Sequence, residues 1–251
     1  MKRVIGVVSA KGGVGKTTIA ANLSAAMMSF NENVIAIDAD IKMSGLGLQL
    51  GMYHFPVTLN DVLLRNASIL EALYIHSSGL RIIPASLYAR DVSMGRLGRV
   101  LEEPSMENNI AIIDTPPGME RNSLSILKAC REVIVVTTAE IPAIADVMKT
   151  IKAAEKMNCE ILGIVVNRYR RGVSEQIKVK ETESGCGLPV IGVIPEDRNI
   201  QKSLFKRVPC VFMNPYSSAS IGFKGIAAYI LEKEYKERNV LLKRLLWKLK
   251  K

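Results

Sequence analysis

A chain of 251 residues, 48% of them hydrophobic, can bury a substantial core, and no linker or low-complexity run divides it into separate globular parts. Its formal net charge of +10 favours anionic partners such as nucleotides, nucleic acids or acidic lipids. The sequence contains no run of about 18 apolar residues, which excludes a membrane-spanning helix of the usual length.

The N-terminus and the cysteines indicate a cytoplasmic protein. Lys2 and Arg3 precede a short apolar run, as in a secretory signal, but that run ends in a lysine- and glycine-rich loop and fits a first strand better. The four cysteines are far apart and form no C-x-x-C pair, so we expect reduced thiols.

The first predicted elements are a strand at residues 4–8, a glycine-rich loop at residues 9–18 (SAKGGVGKTT) and a helix at residues 18–27. Glycines let a backbone turn its N–H groups around an anion, and the following helix N-terminus adds partial positive charge. This order of elements predicts a phosphate-binding loop.

Two side chains of this loop have expected roles in nucleotide binding. Lys16 is placed to reach the β- and γ-phosphates of a nucleotide, and the Thr17 hydroxyl is placed to ligate Mg²⁺. The residues expected to contact the nucleotide are Lys11, Gly12, Gly13, Val14, Gly15, Lys16, Thr17 and Thr18.

Apolar strand-like runs recur along the rest of the chain, with helical stretches between them. They lie at residues 34–37, 80–83, 110–113, 133–137, 161–166 and 190–194. This alternation predicts a single doubly wound α/β domain with a mostly parallel sheet covered by helices on both faces. In such sheets the ligand lies at the carboxyl ends of the strands.

Acidic residues follow two of the predicted strands. Asp38 and Asp40 come after the strand at residues 34–37, and Asp114 comes after the strand at residues 110–113. A carboxylate there can hold Mg²⁺ directly or through water. A single aspartate after a strand is more often a helix cap. Two such strand ends in a chain with a phosphate-binding loop instead favour a role in binding a metal ion and positioning a water molecule.

The last 16 residues combine basic charge with a leucine stripe. Seven Lys or Arg residues stand against one acid, Glu237, and the leucines follow a helical spacing with the basic residues mostly beside it. The residues expected to meet a membrane are Leu241, Leu242, Lys243, Arg244, Leu245, Leu246 and Leu249. The pattern is typical of an interfacial helix, with Trp247 as an anchor beside the stripe. The alternative is a terminal helix that packs on the core or on a partner.

The run KGGVGKTT resembles the deviant Walker A loop of the MinD/ParA family of P-loop ATPases. The resemblance implies that Lys11 reaches across an ATP-dependent homodimer to the phosphates of the partner's nucleotide. A cation supplied in this way stabilises charge on the transferring phosphoryl group. The alternative for Lys11 is a solvated loop lysine. The expected cofactors are ATP, converted to ADP, and Mg²⁺.

The same resemblance assigns the acidic residues and a second switch. It implies that Asp40 orients the attacking water, that Asp38 lies near the Mg²⁺ water shell, and that Asp114 is the Walker B aspartate. Switch II, which senses the γ-phosphate, is matched by Thr115, Pro116, Pro117 and Gly118. This form of switch II is closer to that of iron–sulfur carrier relatives, whose paired cysteines the chain lacks.

Base recognition is implied only by the resemblance. An asparagine amide can both donate to and accept from an adenine edge, and a proline turn exposes backbone groups. In isolation the residues concerned are ordinary loop residues. The family's adenine-contacting positions correspond to Asn167, Arg168, Pro195, Glu196 and Asp197.

The tail completes the expected function. Residues 241–246 (LLKRLL) resemble the C-terminal membrane-targeting sequence of the MinD group in this family. We therefore expect an ATPase domain at residues 1–235 and a membrane-targeting helix at residues 236–251. The implied role is reversible binding to the inner face of the cell membrane and positioning of the division site, with an activating or cargo protein of unknown identity.

Two other functions stay open. One is a DNA-partitioning ATPase of the ParA kind that binds DNA non-specifically. Its phosphate-binding surface would consist of Arg168, Arg170, Arg171, Lys206 and Arg207. The other is a positioning ATPase for flagella or another polar machine, which would differ only in its partner.

Overall fold

The computed structural model describes residues 1–88, 92–140, 142–170 and 172–249. The strands in these residues are β1 (Arg3–Val8), β2 (Val34–Asp38), β3 (Tyr74–Ile75), β4 (Arg81–Ile83), β5 (Ile110–Asp114), β6 (Glu132–Thr138), β7 (Glu160–Tyr169) and β8 (Val190–Pro195). They form one sheet in the order β3-β4-β2-β5-β1-β6-β7-β8.

Helices connect the strands. They are α1 (Lys16–Met28), α2 (Leu46–Gln49), α3 (Leu59–Leu63), α4 (Leu97–Leu101), α5 (Arg121–Ala129), α6 (Ala143–Lys156), α7 (Val179–Cys186), α8 (Arg198–Lys206), α9 (Cys210–Met213), α10 (Ser218–Ile230) and α11 (Val240–Leu249), with 3-10 turns at Met94–Arg96 and Pro104–Met106. Among the described residues, no helix is both long enough and apolar enough to cross a bilayer.

The predicted doubly wound α/β architecture is confirmed. All seven strands expected from apolar runs are present, and their pairings are parallel. The sequence pattern missed β3, which has two residues and pairs antiparallel with β4 at the sheet edge. Two residues carry too little periodicity to signal a strand.

Alternating side chains of the central strands cover both faces of the sheet. Ile110 and Ile112 pack on the side of α1 and α10, whereas Ala111 and Ile113 pack on the side of α3, α4, α5 and α6. Every residue of β5 is buried, as expected for a parallel strand covered by helices on both faces.

The sheet brings the predicted nucleotide residues to one edge. Strand β1 lies between β5 and β6; the chain runs from β1 to β2 in one half of the sheet and later crosses from β5 to β6 in the other half. Asp38 and Asp114 end the neighbouring strands β2 and β5 and are paired in register. A crevice at such a switch of direction, beyond the carboxyl ends of the strands, is where open α/β sheets bind ligands.

Candidate nucleotide site

The glycine-rich loop has the backbone of an anion cradle. Gly13 and Gly15 have φ values of 76° and 95°, in the left-handed region that favours glycine. A Cβ on Gly15 would lie 2.4 Å from Nδ2 of Asn167, so no larger residue fits. No side chain of the described residues caps the N-terminus of α1, and its first turn holds no acidic residue. Its N–H groups therefore suit an external anion.

Lys16 is buried among carboxylates. The residue is only 7% exposed. Burial lowers the pKa of its ammonium group, and the negative charges of Asp114 and Asp40 oppose that shift. A cation held in such a site is dehydrated and close to the anion cradle. It therefore interacts more strongly with a phosphate than an exposed lysine does.

Asp114 has a buried carboxylate without hydrogen-bond donors of good geometry in the described part of the chain. Neither of its buried carboxylate oxygens accepts a hydrogen bond of good geometry from the described residues. Burial and the adjacent Asp38 raise its pKa well above the usual range, and the nearby Thr17 hydroxyl and Lys16 ammonium only partly compensate. A divalent cation would supply the missing positive charge, and oxygen ligands are those that Mg²⁺ prefers.

Asp38 organises the loop that follows β2. Its Oδ2 accepts hydrogen bonds from the Ser44 hydroxyl and from the backbone N–H groups of Gly45 and Leu46, each at 3.0 Å. Its Oδ1 accepts one from the Asp40 N–H at 3.1 Å. Burial nevertheless raises its pKa to about 6. The capping alternative describes this side chain well, and its position near a magnesium water shell stays a prediction.

Asp40, the segment that follows β2 and switch II lie against the phosphate-binding loop. The Asp40 carboxylate accepts a hydrogen bond from the Met43 N–H at 3.0 Å. A Cβ added at Gly45 would lie 3.4 Å from the Thr17 methyl group, and one added at Gly12 would lie 3.7 Å from Pro117. The loop is therefore in contact with both segments, so that a bound phosphate could be sensed by each.

Hydrogen bonds fix switch II to β1 and the loop. The Thr115 hydroxyl donates to the Val7 carbonyl at 2.9 Å, and the Gly118 N–H donates to the Ser9 carbonyl at 3.3 Å. Thr18 contacts α2, since its hydroxyl donates to Oε1 of Gln49 at 3.3 Å. No local pattern in the sequence predicts the Gln49 contact, which joins residues 31 positions apart.

Lys11 lies on the surface and is paired within its own chain. Its ammonium lies 2.7 Å from Oε2 of Glu140, just after β6, and this contact raises its pKa. The prediction that Lys11 reaches a partner's nucleotide requires this exposed pair to open. Exposed pairs of this kind contribute little stability, so opening is cheap. Glu140 was missed by sequence reasoning because 129 positions separate the two residues.

Two of the predicted adenine residues, Asn167 and Arg168, lie near the end of β7, whereas Pro195 ends β8 and Glu196 and Asp197 follow it. Asn167 is buried, and its Nδ2 donates to the Val14 carbonyl at 2.7 Å, which joins β7 to the phosphate-binding loop. Arg168 follows it with a left-handed φ of 54°, a strain for a non-glycine residue that is often found at functional sites. Glu196 pairs with Arg170. Asp197 caps α8 by accepting the Asn199 N–H at 2.9 Å.

Helix α11 forms over the predicted tail, with an unexpected orientation. Leu241, Leu242 and Leu245 are 81%, 55% and 58% exposed. Trp247, which the sequence suggested as a membrane anchor, instead donates its indole N–H to the Met213 carbonyl at 3.3 Å. Its ring meets Tyr216 edge-to-face, with centroids 6.2 Å apart.

The two basic residues of the predicted membrane set also have partners within the chain. Arg244 donates through Nε to the Tyr216 carbonyl at 2.6 Å, and Lys243 pairs with Glu237. The side chains of Leu246 and Leu249 lie outside the described part of the structure. The helix thus presents leucines to solvent and docks through its polar and aromatic side.

The donor set at the carboxyl edge of the sheet fits a magnesium-bound nucleotide. The uncapped start of α1 and the Lys16 ammonium suit the phosphates, whereas Thr17 and the unsatisfied carboxylate of Asp114 suit the cation. Among the described residues there is no cluster of three or more His, Cys, Asp or Glu side chains that could hold a metal ion alone. The fold and this site define a P-loop NTPase.

Comparison with known proteins agrees with that class. The family profile described as ParA, NUBPL iron-transfer P-loop NTPase, matches residues 1–231. An uncharacterized ATP-binding protein of Methanocaldococcus jannaschii is 37% identical over 238 residues, which cover 94% of this chain and 90% of the relative. The chain therefore belongs to the ParA family of P-loop NTPases.

Two solved structures share the fold closely. The cell division ATPase MinD of Pyrococcus furiosus aligns with a TM-score of 0.87 and 32% identity, covering 92% of this chain and 99% of that one. The septum site-determining protein MinD of Pyrococcus horikoshii, complexed with Mg-ADP, aligns with a TM-score of 0.86 and 31% identity, covering 92% and 96%. The chain is thus similar to MinD proteins over most of its length.

Proposed function

We propose that this protein is a magnesium-dependent ATPase that dimerises with ATP, binds the inner face of the cell membrane through α11 and leaves it after hydrolysis. By similarity to the septum site-determining MinD proteins, its role is to position the division site together with an activating or cargo protein. The single observation that carries the membrane part of the proposal is the outward-facing leucine side of α11.

The nucleotide part rests on the donors at the sheet edge. ATP with Mg²⁺ would bring the phosphoryl group and the charge that Asp114 requires. Lys16 and the N–H groups at the start of α1 would bind the β- and γ-phosphates, and Asp40 would hold the attacking water in line. Lys11, released from Glu140, would place its cation on the nucleotide of the partner subunit. These residues work by position and charge, without a covalent intermediate.

The membrane part has a quantitative basis. Burying an exposed leucine side chain contributes roughly 1–2 kcal/mol, and three leucines of α11 are available for this. A single short helix therefore binds a bilayer weakly and reversibly. Two helices on one ATP-bound dimer bind much more tightly, because insertion of the second is intramolecular. Dimerisation would thereby convert nucleotide state into membrane attachment.

The DNA-binding alternative has weaker support. Arg170 is paired with Glu196, and the Arg207 guanidinium lies 5.1 Å from the centroid of the Tyr53 ring. Arg168 and Lys206 are exposed. Arg171 lies outside the described residues. Two of the five basic residues expected to bind phosphates thus have partners within the chain.

Co-sedimentation with anionic liposomes tests the proposal. The full chain and a chain ending at Asn239, just before α11, are compared in ATP and in ADP. We expect the full chain to pellet with liposomes in ATP, to pellet much less in ADP, and to lose pelleting on truncation. Equal pelleting of both chains would contradict the role of α11. Retention of both chains on DNA in ATP, with no liposome binding, would favour the partitioning function.

A further inference from the structure

Helix α11 forms part of the wall of a cleft next to the predicted adenine loop. This cleft has a volume of about 940 Å³, and its lining includes Pro195 and Asp197 together with Arg244 and Trp247 of α11. Ser218, at the start of α10, also lines the cleft. The tail therefore borders the same space that the residues after β8 open into.

Arg244 ties α11 to this wall. Its Nε donates to the Tyr216 carbonyl at 2.6 Å, and its Nη2 donates to the Ser218 hydroxyl at 3.0 Å. Trp247, one turn further along, packs edge-to-face on Tyr216. Both contacts cross from α11 to the segment that leads into α10. The position of the helix and the shape of the cleft are thus determined by the same few contacts.

Asp197 connects Arg244 to the loop after β8. One carboxylate oxygen accepts the Asn199 N–H at 2.9 Å, and the other accepts the Ala219 N–H at 3.1 Å, so it joins α8 to α10. Burial would raise its pKa, but these hydrogen bonds and the nearby Arg244 cation hold the pKa below its usual value. Arg244 thus contacts Ser218, which precedes the Ala219 N–H that donates to Asp197, so the cation and the carboxylate lie at the same end of α10.

We propose that Arg244 and Trp247 belong to the binding site for the base and ribose of the adenine nucleotide, and that nucleotide binding holds α11 docked with its leucines outward. Occupancy of the cleft and docking of the helix then favour each other. Because such coupling is reciprocal, a membrane that binds the docked helix raises the affinity for nucleotide. The second half of the proposal, the linkage to membrane binding, rests on the proposed function. The first half, the assignment of Arg244 and Trp247 to the nucleotide site, does not.

The only tryptophan in the chain makes the first half directly measurable. Trp247 emission is recorded on excitation at a wavelength selective for tryptophan while the full-length protein is titrated with Mg-ADP, without lipid. We expect a saturable change in emission. The Lys16→Ala variant shows that the change requires the phosphate-binding loop, since it should give none. No change in the wild type, with ADP binding verified by calorimetry, would overturn the proposal.

Neighbouring residues of α11 provide matched variants. Arg244→Gln removes the cation that lines the cleft, whereas Lys243→Gln removes an adjacent cation that pairs with Glu237. We expect Arg244→Gln to weaken ADP binding about fivefold or more, as for loss of one hydrogen bond to a charged group. Lys243→Gln should bind ADP as the wild type does. Circular dichroism verifies that both fold. Equal ADP affinities of the two variants would overturn the role of Arg244.

Anionic vesicles test the second half separately. In wild-type protein, vesicles should raise ADP affinity by a coupling factor of about 5 or more, and Arg244→Gln should reduce that factor towards one. Vesicles that bind the wild type without changing its ADP affinity would overturn the linkage. Failure of the full chain to bind vesicles in ATP would contradict the proposed membrane function, while the Trp247 response to ADP would still decide the assignment of the site.

Discussion

The carboxyl edge of the sheet and helix α11 each contain an energetically unfavourable feature, and the two features are of opposite kinds. At the sheet edge, the carboxylates of Asp38 and Asp114 are buried side by side, and Asp114 lacks hydrogen-bond partners of good geometry among the described residues. On α11, three leucines face solvent while Arg244 and Trp247 face the protein. One region buries charge and the other exposes apolar surface.

The chemistry of each unfavourable feature indicates which ligand would stabilise it. A buried carboxylate pair gains from a divalent cation, and a nucleotide brings one. Exposed leucines gain from hydrocarbon, and a bilayer supplies it. Violations of ordinary folding rules tend to concentrate at functional sites, since the rest of the fold has to support their cost. The two regions therefore suit different ligands: the sheet edge suits a nucleotide with its divalent cation, and α11 suits an apolar phase.

Lys16→Ala should cause the largest change, and only at the sheet edge. Loss of a buried cation that faces the phosphates should weaken ATP binding at least about 100-fold, in the range measured when one partner of a buried charge pair is removed. Calorimetry with Mg-ATP provides the measurement. Unchanged affinity would show that the phosphates bind elsewhere.

Replacing Leu241, Leu242 and Leu245 together by Gln should alter only the tail. At roughly 1–2 kcal/mol each, the lost burial should weaken binding to anionic vesicles at least about 100-fold. Because these side chains are exposed, the temperature of thermal unfolding should stay within a degree or two of the wild-type value. Flotation of vesicles with labelled protein measures the affinity. Wild-type vesicle binding in this variant would assign the leucines to another role.

Lys11→Ala should separate nucleotide binding from dimerisation. We expect ATP affinity of the monomer to change little and the ATP-dependent dimer to weaken roughly 30-fold, as for loss of a charge-assisted hydrogen bond. Light scattering at several protein concentrations gives the dimer affinity. Lys2→Ala is the matched control, since Lys2 also forms an exposed pair, with Glu32 at 3.5 Å. If both variants dimerise alike, Lys11 is an ordinary surface lysine.

Asp114→Asn should stabilise the nucleotide-free protein while reducing its affinity for Mg-ATP. Ionised Asp114 is a cost of the fold, because its pKa is raised by burial and by Asp38. That cost is absent below the pKa of the unfolded chain and grows as pH rises through the folded pKa, so the gain in the variant should increase with pH. Thermal unfolding of the wild type and the variant, compared from about pH 5 to about pH 8, tests this.

Asp38→Asn provides the contrast for that measurement. Its amide nitrogen would face a backbone N–H group where a carboxylate oxygen now accepts, because Asp38 takes four hydrogen bonds. We therefore expect no gain in stability from this variant. An equal gain in both variants would mean that charge repulsion alone, and not hydrogen bonding, distinguishes the two positions.

The sequence was most informative where function depends on local order. The glycine-rich loop, the strand ends at Asp38 and Asp114 and the helical spacing of the tail are each visible in a short window of residues. Partners distant along the chain were not predictable. Glu140 meets Lys11 across 129 positions, and Met213 meets Trp247 across 34. The orientation of α11 depends on such contacts, and periodicity specifies a stripe without specifying which side docks.

Release of the protein from vesicles during ATP hydrolysis would test most directly whether nucleotide state controls membrane attachment. Wild type and Asp40→Ala are bound to anionic vesicles with limiting Mg-ATP, and attached protein and released phosphate are followed together. We expect the wild type to detach as ATP is consumed, and Asp40→Ala to bind in ATP but stay attached, because its water is no longer oriented. Detachment of both at the same rate, or attachment that ignores ATP, would contradict this control.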